Sequence, residues 1–391
     1  MIRVAQVITC VYFESDGPSS FVSGLCGGLY SCGVDVELHA LGVSSIFKSL
    51  PEYPYHGYNS KKVFGLPWNI GYSPEMYEGL QSAAGRVDII HSNGVWAFPN
   101  VYPGIVVGNR RKLHCGRPLL VTAPHGCFAK WALKRKWLKK KLFWLLAGQR
   151  SAINVTDMFH ATSEKEYEEI RSQGYKQPVA IVPIGMDVPE IQSHVKEDVG
   201  RIRKIVFFGR LHLVKGVDRL VRAWGEVARE GWELVIAGPD CGMLEALKGI
   251  VAEERVPRVS FVGEINGPAK YEFLAGGDIY VLPSDTENFG VTVAEALVSG
   301  TPVIASQGTP WQGLERERCG RWVPIGVEPL AAALKEMMAM SDEERAAMGA
   351  RGREWIRRDF SWKGIGAKMK AAYEWLLAPE KVEQPEFVVS G

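Results

Sequence analysis

The chain has no CxxC pair. Its seven cysteines (Cys10, Cys26, Cys32, Cys115, Cys127, Cys241 and Cys319) are scattered and odd in number. This argues against a disulfide framework or a cysteine zinc site and points to a reduced, cytoplasmic setting. No G-x-G-x-x-G fingerprint is present, so a nicotinamide or flavin dinucleotide site is not expected. No apolar run reaches the ~18 residues that a membrane-spanning helix needs. Acidic residues are missing from one long window: between Ile89 and Thr156 there is no Asp or Glu, against twelve Lys or Arg. Seven of the twelve lie in "KWALKRKWLKKK", Lys130–Lys141. The net charge of the whole chain is only +2, so the imbalance is local. It predicts a basic face toward an anionic partner or surface, with no general reason to expect nucleic acid.

What is present describes an ordinary globular protein of two domains. The chain has 391 residues, 46% hydrophobic and 23% charged, and domains usually run ~100–200 residues. "MIRVAQVITC" reads as a first strand rather than a signal peptide. In the first half, strands are expected at 2–9, 34–41, 87–91, 119–123, 159–162 and 179–183. Helices are expected at 19–32, 131–149 and 164–173. A polar stretch at 193–204 reads as a linker. A second alternation follows, with strands at 205–208, 233–237, 259–262, 278–282 and 302–305 and helices at 217–229, 243–254 and 292–299. Strand–helix alternation implies parallel sheets covered on both faces. The α/β fold class is therefore two doubly wound, Rossmann-like domains, and chemistry is sought in the loops that follow strands. Ser341 and Glu344 form a capping box before the penultimate helix, and residues 361–378 form a last amphipathic helix.

Four segments carry the candidate chemistry. In "ENFGVTVAEALVSGTPVI", Glu287 lies before a helix and Glu295 inside it, with the N–H groups of Phe289, Gly290 and Val291 between them at the helix start. Such a start binds phosphate, and Gly290 lets the ligand approach the backbone. Two carboxylates on either side of a phosphate suit a nucleotide sugar, whereas either one alone would be an unremarkable surface or loop residue. In "FFGRLHLVKG", Gly209, Arg210 and Lys215 lie in a strand-to-helix loop, where a guanidinium fork and an ammonium suit a diphosphate. In "VTAPHGCF", His125 stands at the carboxyl end of a strand; His91, His114 and His160 have weaker claims. In "ESDGPSSFVSGL", Gly17 makes a turn, and Ser19 or Ser20 could cap the next helix.

Together these segments resemble the retaining GT-B glycosyltransferases of family 4. The match rests on Glu-x7-Glu in "ENFGVTVAE", on "GRLHLVKG", "PHG" and the Gly-Pro loop, and on "PIGMD" at Pro183–Asp187. The resemblance implies an N-terminal acceptor domain at 1–190, completed by a helix at 361–378 that crosses back. It also implies a nucleotide-sugar domain at 200–360; the tail, 379–391, reads as disordered. By the same resemblance Glu287 holds donor-sugar hydroxyls, Asn288, Phe289 and Gly290 contact the sugar, and Val291 N–H contacts a phosphate. Glu295 holds the ribose, Arg210 and Lys215 neutralise the leaving diphosphate, Ile265 lies against the base, and His125 contacts the sugar. The chain departs from many relatives at Gly17-Pro18, where Pro18 has no N–H to donate.

The expected reaction is transfer of a hexose from a UDP or GDP sugar with retention. Both glutamates belong to the same nucleotide-binding domain, unlike the carboxylates of a glycosidase, which work from opposite faces of a sugar. Diphosphate departure is then eased by Arg210, Lys215 and the helix start, with neither metal nor cofactor required. Trp131, Trp137 and Trp144, interleaved with Lys130, Lys134, Arg135, Lys139 and Lys140, suit an anionic lipid interface. The expectation is a peripheral enzyme at the inner face of the cytoplasmic membrane, extending lipid-diphosphate-linked saccharides for polysaccharide or lipopolysaccharide. The alternatives are a nucleotide-sugar epimerase, a transferase with a small soluble acceptor, and a binding module that keeps only the fold.

Overall fold

The computed structural model describes residues 1–391 except 11–16, 43–51, 63–69, 130–131, 134–136 and 189–199, and without the side chains of residues 17, 18, 20, 139 and 146. The chain divides into two compact units, Met1–Gly185 with Trp362–Gly391, and Met186–Ser361.

In the first unit the elements run β1 (Arg3–Cys10), α1 (Gly17–Ser31), β2 (Asp35–Leu41), β3 (Tyr55–Tyr58), α2 (Pro74–Ala83), β4 (Ile89–Asn93), α3 (Phe98–Lys112) and β5 (Leu119–Ala123). There follow α4 (Trp137–Leu146), α5 (Gln149–Asn154), β6 (Met158–Ala161), α6 (Glu164–Ser172) and β7 (Val179–Ile181). With the C-terminal β14 (Val388–Val389), the strands form one sheet in the order β14-β7-β6-β5-β4-β1-β2-β3. Every pairing is parallel except that of β14 with β7. Strands covered on both faces become apolar runs, which is why β1, β4 and β5 are legible as sequence. The order reverses between β1 and β4, and this topological switch point is where such sheets place ligands.

The second unit runs β8 (Arg203–Phe208), α7 (Val217–Val227), β9 (Trp232–Ala237), α8 (Leu244–Glu253), β10 (Val259–Gly263), α9 (Ala269–Gly276) and β11 (Ile279–Leu282). It continues through α10 (Val291–Val298), β12 (Val303–Ser306), α11 (Gly313–Arg316), β13 (Gly320–Val323), α12 (Val327–Ala339) and α13 (Asp342–Asp359). Its six-stranded sheet has the order β10-β9-β8-β11-β12-β13, all parallel. Here the switch point lies between β8 and β11. The capping box at Ser341 and Glu344 is formed, opening α13.

The last helix, α14 (Trp362–Leu377), belongs to the first unit. It packs on α1 through glycines: a Cβ on Gly24 would come within 2.1 Å of the Trp362 ring, and one on Gly28 within 2.2 Å of the Trp362 carbonyl oxygen. The unit boundary falls at Gly185/Met186 because Met186 donates its N–H to the Phe360 carbonyl at 2.6 Å. The polar linker at 193–204 lies largely outside the described residues, and β8 begins at Arg203.

Three expectations are corrected. The tail is ordered: β14 (Val388–Val389) pairs antiparallel with β7, Val388 is buried, and Ile181 N–H donates to the Phe387 carbonyl at 2.8 Å. An apolar Phe-Val pair beside an unpaired sheet edge satisfies both burial and the ladder. The helix expected over 131–149 is broken, because Gly148 adopts φ 77 and starts α5 anew. Ser19 does not cap α1; it lies inside the helix and donates to the Cys10 carbonyl at 3.3 Å.

Candidate active site

In the second unit the loop after β8 and the loop after β11 are bound to each other. Asp285 N–H donates to the Val214 carbonyl at 2.8 Å, and Arg219 donates to the Pro283 carbonyl at 2.9 Å and to Asp285 Oδ1 at 2.6 Å. Buried Tyr280 on β11 donates its hydroxyl proton to the Phe208 carbonyl at 3.2 Å, and its oxygen lies 2.6 Å from Thr292 Oγ1 on α10, which can donate to it. These bonds fix the start of α10 against the end of β8. Gly290 is the residue before α10, at φ 79 and ψ 59, with no side-chain cap. A glycine is required at this left-handed position. The first helical N–H groups are therefore left for another acceptor. Trp311 supports the turn by donating to the Phe289 carbonyl at 2.5 Å.

The two glutamates do lie on either side of this start, and each carries a lysine. Glu287 Oε1 accepts from Lys215 Nζ at 2.6 Å and from Ser284 Oγ at 2.6 Å. Glu295, 6% exposed, accepts from Lys270 Nζ at 2.5 Å. Burial raises the Glu295 carboxyl above its ordinary pKa, and Lys270 opposes the rise. Burial works to lower the Lys270 ammonium, but Glu295 outweighs it and the pKa is raised. Burial likewise raises Asp187, with Lys270 again pulling it down. Sequence reasoning missed Lys270: it lies on α9, twenty-five residues from its partner, and nothing local marks it.

Arg210 is exposed, and its side chain has no partner among the described residues. Lys215 ends a short 3-10 turn, Leu213–Lys215, that is closed by Gly216 at φ 63. Gly209 lies where two strand ends nearly touch: a Cβ on Gly238 would come within 1.9 Å of its carbonyl oxygen. Ile265 is half-buried in the loop after β10.

In the first unit, His125 and Gly126 follow β5 with left-handed backbones, φ 52 and φ 73. That conformation is strained for a histidine. It is held by buried Glu166, which accepts from Gly126 N–H at 2.7 Å and from Thr162 N–H and Oγ1, each at 2.8 Å. His125 Nε2 lies 3.0 Å from Asn93 Oδ1. Burial depresses the His125 pKa to about 4, so the ring is neutral near pH 7. Gly17 opens α1.

Of the basic stretch, Lys130, Lys134 and Arg135 lie outside the described residues, as does the Lys139 side chain. Lys140 donates to the Ala132 carbonyl, and its Nζ lies 5.2 Å from the Trp96 ring centre. On the same helix Trp137, Leu138, Leu142 and Leu145 are each more than half exposed. No helix among the described residues is long and apolar enough to cross a membrane. Elsewhere, Glu37, His39 and His56 form a cluster with ligand atoms within 4.8 Å of one another. Arg86 Nη2 already lies 3.1 and 2.8 Å from the two Glu37 oxygens, so the cluster reads as a polar tie of β2 and β3.

Two Rossmann-like units, each a parallel sheet between helices, are the architecture of the GT-B class of glycosyltransferase. Comparison agrees. Residues 15–190 match the profile for Glycosyltransferase Family 4, and residues 191–355 match that for glycosyl transferases group 1. The chain belongs to glycosyltransferase family 4. It is 29% identical over 214 residues to a GDP-mannose-dependent monoacylated alpha-(1-6)-phosphatidylinositol monomannoside mannosyltransferase of Corynebacterium glutamicum, covering 48% of this chain and 54% of that one. It is 27% identical over 245 residues to a D-inositol 3-phosphate glycosyltransferase of Xylanimonas cellulosilytica, covering 58% of each. The chain thus spans little more than half the length of these curated relatives. Sucrose-phosphate synthase from Thermosynechococcus elongatus has the same fold, with TM-score 0.72 at 21% identity over 97% of this chain and 100% of that one. So does Anabaena HepE in complex with UDP and glucose, with TM-score 0.71 at 14% identity over 96% and 100%.

Proposed function

We propose that the protein moves a hexose-type sugar from a UDP or GDP sugar to a saccharide acceptor, with retention of configuration. One observation carries this reading: an uncapped helix start at Gly290, on a topological switch point, lies between two glutamates that each hold a lysine. In this reading the diphosphate takes the N–H groups at Val291 and the charges of Arg210 and Lys215. Lys215 turns from Glu287 toward the phosphates and frees that carboxylate for the sugar, which also meets Asn288, Phe289 and Gly290. Glu295 takes the ribose diol, Ile265 flanks the base, and Gly209 and Gly17 leave room for the donor. His125 is the first unit's contribution to the sugar. The barrier is departure of the diphosphate, and fixed positive charge lowers it; with two cations in that role the reading needs no metal. The acceptor hydroxyl attacks on the face the diphosphate leaves and gives its proton to a phosphate oxygen. Thermal-shift measurements with UDP, GDP and ADP test the donor site. Stabilisation by one diphosphate is expected, about 2.7 kcal/mol at a hundredfold excess over Kd. No response to any of them overturns the reading, and isomerised sugar from donor alone would point to an epimerase.

The acceptor side is read as lipid-linked, on a cytoplasmic membrane surface. The exposed Trp137, Leu138, Leu142 and Leu145 lie on a helix with three consecutive lysines, Lys139–Lys141, a composition that suits anionic headgroups. A relative named for phosphatidylinositol mannoside mannosylation supports it. Salt-sensitive binding to phosphatidylglycerol vesicles, without binding to RNA, is the expected result; no vesicle binding removes the membrane claim.

A further inference from the structure

The first unit contains a buried polar network whose proton positions can be worked out from backbone carbonyls, which only accept. Asn93, at the end of β4, lies 2.9 Å through Nδ2 from Gln6 Oε1, 3.3 Å from the Val7 carbonyl and 3.3 Å from the His91 carbonyl. Two of these partners are main-chain oxygens, so the donating atom is Nδ2, and Asn93 Oδ1 is an acceptor. That oxygen faces His125 Nε2 at 3.0 Å. A contact with an acceptor is a hydrogen bond only if Nε2 carries the proton.

The same logic extends inward. Gln6 Oε1 accepts from Asn93, so Gln6 Nε2 donates, toward the Tyr373 hydroxyl at 3.2 Å and toward His91 Nδ1 at 3.3 Å. His91 Nδ1 also takes the Tyr373 hydroxyl proton at 2.6 Å. His91 is therefore protonated on Nε2. His160 Nε2 donates to the Val182 carbonyl at 2.8 Å, which leaves its Nδ1 bare. His91 Nε2 and His160 Nδ1 are buried without a partner, and their rings lie 5.3 Å apart. One is a donor and the other an acceptor, so a single water between them would satisfy both. The assignment is consistent at every member, and all three rings are kept neutral by burial, with pKa values depressed.

We propose that Asn93 is a positioning residue that holds His125 as its Nε2–H tautomer, leaving a bare Nδ1 to accept a hydrogen bond from a hydroxyl. Nδ1 has no partner among the described residues. A neutral, lone-pair nitrogen attracts an O–H and repels a phosphate or carboxylate oxygen. His125 is then a receptor for a sugar hydroxyl, not for the diphosphate. The strained backbone at His125 and the Glu166 clamp on Gly126 fix the ring's base, while Asn93 fixes its proton. That the hydroxyl belongs to a sugar rests on the glycosyltransferase reading; the tautomer does not.

The test uses the full chain labelled with nitrogen-15 at histidine, with His125 assigned by the resonances lost in His125→Gln. The wild-type spectrum near neutral pH is expected to show a protonated Nε2 and a bare Nδ1. An Nδ1–H ring, or an average of the two tautomers, in the wild-type protein overturns the proposal. Asn93→Ala should average the tautomers and lower kcat/KM on the order of tenfold; an unchanged His125 spectrum in that variant would also overturn it. Asn93→Asp keeps the acceptor and adds a charge. It should preserve the tautomer and, with the Glu166 carboxylate acting in the same direction, hold the imidazolium to higher pH against the burial and the neighbouring His91 and His160; Tyr373 stays neutral. If the tautomer is as stated and no nucleotide sugar is turned over, the transferase reading fails alone. If transfer proceeds and the wild-type tautomer is Nδ1–H, only the role of Asn93 fails.

Discussion

Replacing Lys270 by Met removes the only cation hydrogen-bonded to buried Glu295 among the described residues. The lysine nitrogen lies 2.5 Å from Glu295 Oε1, and the two side chains are 27% and 7% exposed. Two unit charges ~4 Å apart attract by about 4 kcal/mol at an effective dielectric near 20. Partial exposure of the lysine and screening reduce this to about 1–3 kcal/mol. Loss of Lys270 should therefore push the Glu295 pKa further up in the variant. Burial already raises it in the native protein. A folded-state pKa above the unfolded value gives stability that is complete below the unfolded pKa and is lost as pH rises through the folded one. Lys270→Met moves that loss to higher pH and makes it larger. Its cost should be smaller at an acid pH, where Glu295 is protonated, than at an alkaline pH, where it reaches the full ~1–3 kcal/mol. Urea unfolding followed by tryptophan fluorescence at both pH values measures this, because Trp224, Trp311 and Trp355 lie in the second unit's core. Glu295→Gln in the Lys270→Met background should abolish the slope. Equal destabilisation at the two pH values would refute the electrostatic account and leave only lost packing. A protonated Glu295 also loses an acceptor for the ribose diol, so nucleotide affinity in the variant should weaken on the acid side of the new pKa.

The remaining predictions concern the loops. Arg210→Ala with Lys215→Ala should lower kcat/KM by about two to three orders of magnitude or more; an unchanged value would sink the diphosphate assignment. Glu287→Gln should remove most turnover and weaken the hold on Lys215, read as a kcat loss larger than any change in KM. Gly290→Ala forces a Cβ into a left-handed residue 3.3 Å from Trp311 Nε1. It should cost about 1–2 kcal/mol in urea unfolding and lower nucleotide affinity. Gly238→Ala places a methyl 1.9 Å from the Gly209 carbonyl oxygen; a loss of more than about 3 kcal/mol in unfolding free energy is expected, read from urea unfolding.

Legibility of the fold followed burial and punctuation. The strand at Leu119–Ala123 is an apolar run ended by Pro124, and its limits are plain in the sequence. The start of α10 is marked by Gly290 and its end by Gly300 and Pro302. By contrast β3 reads "YHGY", half-buried and polar. It is a strand because His56 stacks on His39 of the neighbouring strand at 4.6 Å, a pairing no local pattern announces. Helix α3, "FPNVYPGIVVGNRRK", is dense in helix breakers. Pro99 lies in its first turn, where the missing N–H costs nothing. Gly104 is required because a Cβ there would come within 2.4 Å of Ala152 on α5.

The site divides along the same line. Glu287, Gly290 and Glu295 stand at intervals set by one loop and one helix, so their placement around the start of α10 can be worked out from spacing alone. Lys270 and Asn93 act on residues twenty-five and thirty-two positions away. Each lies in a regular element whose pattern is already accounted for by packing. Their work is to set the charge of Glu295 and the proton of His125, and it depends on which strand ends are neighbours. Sheet order decides that. A sequence can therefore show which groups would meet a ligand while leaving unmarked the groups that set their protonation, because the second set is chosen by topology and the first by local chain geometry.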